Sequence, residues 1–575
     1  MKRKAIDLIM AAAMIFTGCG SSKTETANTP EAASAAQETD GAASAAAQET
    51  AGEADPYGKY EEPVTFTVAM SVDPNEVFPE GDSYTDNQYT RYIKEQLNVD
   101  VEFLFTASTS DWDTKVNLAI TSNQIPDAMV VNATQFNQMY RAGQLADLTD
   151  VYDQYASDTM KSMVNSSNGL AIENVSYKDR MYGLTSTSDG DYELTWIRKD
   201  WLDKLNLEPP KTCEELEAVA KAFVENDVSG KGTIGFAGPQ SGGLLNATFL
   251  NNGTNNYGFD SYFNGFGAYP GWWLIGEDGK PVYGSITPET RNALEKLASW
   301  YKDGLIDPEM GIRQDASEPI VAGKTGIFSG GWWMGYACLP DVIANNPEAN
   351  FQAYAIPVND TNGKYTPHAS GASYAYLVVS KDCEHPEIAV KLNNLLIRDE
   401  GTFDTSQGGI GNFPCRIAFG MQDESVFTVN AMRDVLAGTK TVDDFTEEDF
   451  TLYKLLKNDL ETISTVKKEP YDSMDIGTWD VQANPGAWAR DYSLMVGWGA
   501  LIDSQLEPVY SAIYQQTETM EQRWANLEKM ENETFMKIIM NQEPIEAFDT
   551  FVENWKAQGG DIITEEVTEF YNSKQ

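Results

Sequence analysis

The chain has 575 residues, with 41 Lys plus Arg against 87 Asp plus Glu and a formal net charge of −46. That acidity excludes nucleic acid as the main partner, since phosphate binding is driven by cationic side chains, and it excludes docking on an anionic membrane through a basic face. Hydrophobic residues at 42% and aromatics at 11% supply a large core, and only one apolar run approaches spanning length, so wholesale disorder and a polytopic membrane protein are both excluded.

That run is N-terminal. Lys2, Arg3 and Lys4 precede an apolar stretch over 5–16, interrupted early by Asp7. Its length is that of a signal-peptide h-region and short for a transmembrane helix. It ends Phe16-Thr17-Gly18-Cys19, which resembles the lipobox of bacterial lipoproteins. The resemblance implies removal of residues 1–18 and diacylation of Cys19, and two acyl chains give stable anchoring where one does not. The expected location is the extracellular face of a bacterial cell membrane. Residues 19–62 are rich in Ala, Thr, Ser, Glu and Gly, and read as a disordered spacer because they bury too little to offset ordering entropy.

Strand patterns follow at Thr65 to Met70, Val99 to Phe105 and Ala128 to Val131. Thr212-Cys213-Glu214-Glu215 is a capping box, and Leu216, Val219, Ala220 and Phe223 continue it at helical spacing. A second helix starts near Pro288, carries Leu294, Leu297, Ala298 and Tyr301 on one face, and stops at Gly304. Further strands are expected at Thr325 to Phe328 and Ala375 to Val379, and a third helix from Pro386-Glu387 through Leu396. Strands alternating with helices predict α/β layers with largely parallel sheets.

Several chemistries lack their residues. Cys213, Cys338, Cys383 and Cys415 form no CxxC pair, so no zinc site is suggested; buried thiols and one or two bridges both stay open. There are two His and no GxSxG elbow for a serine nucleophile. Gly323-Lys324-Thr325 resembles the end of a phosphate loop, but Glu318 stands where its first Gly is required.

Four segments carry a resemblance. They are Lys115 to Met129 (KVNLAITSNQIPDAM), Gly143 to Tyr155 (GQLADLTDVYDQY), Thr195 to Phe223 (TWIRKDWLDKLNLEPPKTCEELEAVAKAF) and Trp300 to Met310 (WYKDGLIDPEM). In this order and spacing the chain resembles the extracellular solute-binding proteins of ABC importers, in the carbohydrate class related to maltose-binding protein. Within it, the chain is similar to the long lipoprotein subgroup typified by LplA and the alginate-binding proteins. The resemblance implies a type II, Venus-flytrap fold with two α/β lobes and a ligand cleft between them. It implies lobe one over 63–188 and 330–398, lobe two over 189–329 and 399–575, and crossings near Gly190 to Trp196 and Ser329 to Met334. It also implies a monomer that docks on permease subunits and has no catalytic step of its own.

Sugar rings stack on aromatic faces while their hydroxyls need carboxylates and amides. Gly271-Trp272-Trp273 and Gly330-Gly331-Trp332-Trp333 set paired Trp beside Gly, so Trp272, Trp273, Trp332 and Trp333 are candidate platforms; the competing reading puts one of each pair in the core. Trp488 and Arg490 are weaker candidates. Polar candidates from strand ends are Asp73, Asp127, Thr185 and Ser186, each of which otherwise caps a helix or shapes a turn. Relatives often carry a calcium loop; here Asn226 to Gly235 keeps the Thr-Ile-Gly ending but lacks alternating carboxylates, so no metal or other cofactor is expected. The acidity favours a neutral oligosaccharide over a polyanionic one. A peptide or other non-sugar ligand on the same fold, a tethered sensor, and a secreted glycoside-active enzyme are the competing readings.

Overall fold

Thr65-Phe66-Thr67-Val68 alternates polar and apolar residues, and the first strand grows around it, with Phe66 and Val68 buried. The computed structural model describes residues 54–167, 169–187, 190, 192–240, 243–251, 256–356, 363–369, 375–421, 423–447, 452–467 and 479–573. Cys19 and the expected signal segment lie outside the described residues. Nine strands build two sheets: β1 Val64–Val72, β2 Val99–Ser108, β3 Ala128–Val131, β4 Leu184–Thr185, β5 Glu193–Arg198, β6 Ile234–Phe236, β7 Thr325–Gly331, β8 Phe351–Tyr354 and β9 Tyr376–Val379.

The first sheet has the order β2-β1-β3-β9-β4 and the second β8-β5-β7-β6. Both are mixed, where largely parallel sheets were expected. β1 runs parallel to β2 and β3, and β9 runs antiparallel to β3 and β4. In the second sheet β5 is antiparallel to β7 and β8, while β7 is parallel to β6. Each antiparallel neighbour is a strand the chain uses to enter or return to a sheet, and no crossover helix imposes one direction there.

Two cores follow. One joins the first sheet to one face of the second through Leu194, Trp196, Phe328 and Phe351. The other covers the opposite face through Ile197, Phe236 and Ile327, and takes in Trp273, Tyr283, Trp300 and the C-terminal helices from Glu518 onward. Period-two alternation along β5 sends Trp196 to one core and Ile197 to the other. The predicted helices form as Cys213–Glu225, Pro288–Lys302 and Glu387–Asp399. Thr212 accepts the Glu215 N–H at 3.2 Å, while Glu215 reaches back to the Lys211 N–H at 2.7 Å, one residue upstream of the usual box.

Three boundaries need correction. Residues 54–62, inside the stretch expected to be spacer, pack on the folded body, because aromatic residues there find partners. The Tyr60 hydroxyl donates to Glu387 at 2.6 Å, Lys391 Nζ donates to the Gly58 carbonyl, and Arg398 lies over the Tyr57 ring. The second crossing does not fall at 329–334. β7 ends at Gly331 and the chain returns through β8 to the same sheet, so the crossing is 355–375, between β8 and β9. Within it, Lys364–Tyr365 and His368–Ala369 pair in parallel with Gln505–Leu506 and Val509–Tyr510. Last, the segment after 399 does not go wholly with the second sheet. Lys454 ties the helix Tyr453–Val466 to Asp399 of the first body at 2.5 Å, while the Tyr492 hydroxyl bonds the Phe351 carbonyl of β8.

Glu531, on the helix Glu518–Ile539, is buried and accepts from Tyr283 at 2.9 Å and Ser285 at 2.8 Å. Burial pushes its carboxyl from 4.5 up to about 8. The folded chain therefore holds that proton more tightly than the unfolded chain. The stabilisation is fully present below about 4.5 and is lost as pH rises, by about 1.4 kcal/mol per pH unit toward 8. In urea unfolding between pH 6 and pH 8, Glu531→Gln is expected to remove this part of the slope and exceed the parent in stability at the alkaline end.

Candidate functional site

The strand registers decide which sheet edges face each other. Thr185 at the end of β4 pairs with Tyr376, which also pairs with Val131 at the end of β3. The C-terminal ends of β1, β3 and β4 thus lie on one edge. Glu193 at the start of β5 pairs with Gly331 at the end of β7, so the chain enters the second sheet at the C-terminal edge of its parallel strands. Residues 186–192 join the two edges, and a chain that short reaches at most about 25 Å. The return over 355–375 starts and ends at the same two edges. Ligands in open α/β sheets bind outside strand C-terminal ends, and here two such edges are held opposite one another.

On the first edge, Asp73 follows β1 and is exposed, with its carboxylate accepting the Asn75 N–H at 2.9 Å. Ser108 closes β2 and donates to Asp111 at 2.8 Å, and half-buried Trp112 stands beside Phe105 with ring centroids 5.9 Å apart. Asn132 follows β3. Its Oδ1 accepts the Gln135 N–H at 2.9 Å, capping the helix Ala133–Arg141, and its amide donates to Asp113 at 3.2 Å. On the second edge, half-buried Trp332 and Trp333 leave the end of β7 directly. One edge therefore offers carboxylates and amides, and the other aromatic faces.

Between the edges lies a buried polar seam. Glu193 accepts from Asn246 Nδ2 at 2.6 Å and from Ser329 at 3.4 Å, and its carbonyl takes the Tyr365 hydroxyl. Asp260 accepts the N–H groups of Asn246 and Ala247 at 2.7 and 3.2 Å, and burial shifts its carboxyl upward against those bonds. His368 meets the Asn264 amide at 3.1 Å, and burial lowers it to about 3, so the imidazole is neutral at ordinary pH. These bonds link β5, the helix Asp260–Gly265 and the second crossing.

Five of the sequence candidates are placed elsewhere by packing. Asp127 precedes β3 and so sits away from its C-terminal edge; its carboxylate takes the Thr67 N–H at 2.8 Å and the Thr67 hydroxyl at 2.7 Å, fastening β1 to β3. Trp272 is fully buried against His368, centroids 4.3 Å apart, and its indole N–H donates to the Ala369 carbonyl. Trp273 is core, between Tyr283 and Trp555. Trp488 is core, stacked on Tyr492 at 4.7 Å. Arg490 is committed to Asp459 at 2.6 Å. Thr185 and Ser186 lie on the first edge where the crossing starts and are buried there. Trp332, Trp333 and Asp73 are the candidates that the strand ends bring to open edges. Trp112 and Asn132 were missed, although each follows a predicted strand; Glu193, Asn246, Asp260 and His368 meet only through tertiary structure.

The loop after the helix Cys213–Glu225 bears on metal binding. Asp227 Oδ1 accepts from the Thr233 N–H and hydroxyl, each at 2.9 Å, from the Gly232 N–H at 3.0 Å and from Ser229 at 3.3 Å. Among the described residues, no group of three or more His, Cys, Asp or Glu is gathered to hold a metal. Cys213, Cys338, Cys383 and Cys415 are free thiols.

Asp127→Ala is expected to cost about 1–3 kcal/mol in urea unfolding, through the orphaned Thr67 N–H, while the same variant keeps its ligand affinity within about twofold. A large loss of affinity at unchanged stability would restore Asp127 to the site.

The family model for bacterial extracellular solute-binding proteins matches residues 76–402. Among curated relatives, "Lipoprotein LipO" of Bacillus subtilis is 28% identical over 38% of this chain and 42% of its own. The "Polygalacturonan/rhamnogalacturonan-binding protein YtcQ" of Bacillus subtilis is 26% identical over 41% of this chain and 45% of its own. The "Fructooligosaccharide ABC transporter substrate-binding protein FusA" of Streptococcus pneumoniae is 24% identical over 41% and 45%. The matched region spans less than half the length of each of these relatives. Among solved structures, alginate-binding protein AlgQ2 without calcium ion superposes with TM-score 0.58 at 17% identity, covering 89% of this chain and 99% of that one. An extracellular solute-binding protein from Bifidobacterium longum subsp. infantis gives 0.58 at 16%, covering 89% and 98%. At such identities the likeness shows the fold, that of two-lobe solute-binding proteins.

Proposed function

The chain belongs to the bacterial extracellular solute-binding protein family, and from that premise we propose that it captures a neutral oligosaccharide between its two strand edges and delivers it to an ABC permease. The observation that carries the reading is that both crossings join the same two strand edges, with Trp332 and Trp333 on one and Asp73, Asp111, Asp113 and Asn132 on the other. Stacking takes the apolar ring faces and the polar edge takes the hydroxyls. A ligand touching both edges favours their approach, because only the closed arrangement makes both sets of contacts. The permease then reads the closed form. The protein does no chemistry on the sugar.

Two curated relatives are named for carbohydrate binding, one for an acidic glycan and one for a neutral one. The first edge of this chain is acidic, and like charge raises the cost of encounter with a polyuronide. That favours the neutral class. Diacylation of Cys19 would hold the monomer on the extracellular face of the membrane. Calcium has no part in the reading, since Asp227 is satisfied by its own loop.

Thermal unfolding against neutral oligosaccharides, uronic-acid oligosaccharides and short peptides tests this. A neutral glycan at a hundredfold excess over Kd is expected to stabilise the fold by about 2.7 kcal/mol and to be recovered intact. A shift with peptides alone, or a cleaved glycan, would overturn the reading. Trp333→Ala should weaken that glycan by about tenfold or more at nearly unchanged unfolding midpoint. EDTA should leave both midpoint and affinity where they were; a drop restored by calcium would overturn the metal-free assignment.

A further inference from the structure

The run 485–502 lies outside both sheets, and its geometry is unusual. It is α-helical over Pro485–Tyr492, π-helical over Ser493–Trp498 and α-helical again over Gly499–Ile502. A π turn widens a helix by one residue and recurs at functional sites. Here the widened turn meets the segment that carries Trp332 and Trp333. Gly497 lies so close to the Trp332 carbonyl that a side chain there would collide with it. Gly335 seats in the same way: a Cβ on it would stand 2.5 Å from Ser493 Oγ and 2.7 Å from the Ala489 carbonyl. Trp332 and Trp498 have ring centroids 6.1 Å apart.

A buried charge cluster backs the contact. Arg490 donates through Nε to Asp459 at 2.6 Å, and Asp459 comes from the separate helix Tyr453–Val466. The Arg490 charge also acts on the Tyr336 hydroxyl, at the end of the tryptophan turn, and pulls its pKa down against burial. Asp491 is fully buried beside them with no hydrogen-bond partner on either oxygen. Burial drives its carboxyl upward, and the neighbouring Asp459 charge adds to that shift. A buried ion pair is weak support for stability, because desolvation offsets most of the attraction; its best-attested use is to fix one arrangement among several.

We propose that Arg490, held by Asp459, is a positioning residue for ligand binding: it fixes the turn from Gly331 to Tyr336 so that Trp332 and Trp333 face the opposite sheet edge, without touching the ligand itself. The proposal rests on the tryptophan-platform reading, and the test reads the turn directly so that the two fail separately.

Hydrogen exchange by mass spectrometry on the full chain is the measurement. Arg490→Met is expected to speed exchange over 330–338 by about tenfold, with β1 and β5 changed less than about twofold. Arg490→Lys should recover most of the protection. Asp459→Asn should match Arg490→Met, and the double variant should add little to either. Gly497→Ala, which alters no charge, should loosen the same segment. Unchanged exchange over 330–338 in these variants, or a rise spread evenly over both sheets, overturns the proposal. A variant with 330–338 protected but glycan affinity lost also overturns it, by putting Arg490 on the ligand. Loosened exchange with full glycan affinity overturns the binding role of Arg490, because the turn it holds would then not carry the binding surface.

Discussion

The stretch 186–192 must carry the chain from the end of β4 to the start of β5, and it is too short to let the two edges drift apart. Almost everything functional depends on that shortness. Thr187 is pinned on the first side by its N–H to the Ala418 carbonyl at 2.9 Å and its hydroxyl to the Gly420 carbonyl at 3.0 Å. Glu193 is pinned on the second by Asn246 and Tyr365. Two sheets of unrelated strand order are thereby made to face each other through their loop-bearing ends, and those loops are free to carry polar and aromatic residues because the strands behind them carry the packing.

The polar groups divide into two kinds. Asp73, Asp111 and Asp113 stand in solvent, where water sustains their charge. Glu193, Asp260, Asp459, Asp491 and Glu531 are buried, where charge must be matched or given up. Each is met differently: Glu193 by an amide and a hydroxyl, Asp260 by backbone N–H groups, Asp459 by a guanidinium and Glu531 by two hydroxyls, while burial pushes the Asp491 carboxyl upward. A net charge of −46 is thus compatible with a dry interior.

Local features were legible in the sequence and tertiary ones were not. The cap at Thr212, the stop at Gly304 and the strand Ala128–Val131 each rest on a few adjacent residues. The strand Phe351–Tyr354 is too short for its alternation to speak, and missing it moved the second crossing upstream. Gly271-Trp272-Trp273 and Gly331-Trp332-Trp333 read alike as strings. They part because the C-terminal helices and the second crossing close over the first pair, while the second pair stays half-buried at a strand end. Asp127 shows the converse: a carboxylate beside a strand, but ahead of it, which is the wrong end for a ligand.

The strap at 54–60 has a mechanical meaning. Through Gly58, Tyr60 and Tyr57 it is stitched to the helix Glu387–Asp399, and through Lys59 and Tyr60 to the end of the helix Gln88–Leu97, both packed on the first sheet. Tension arriving along the chain from upstream of residue 54 would enter the protein there and be resisted by those two helices. None of it would run through 186–192 or 355–375. The joint between the sheets therefore lies off the direct path of that load.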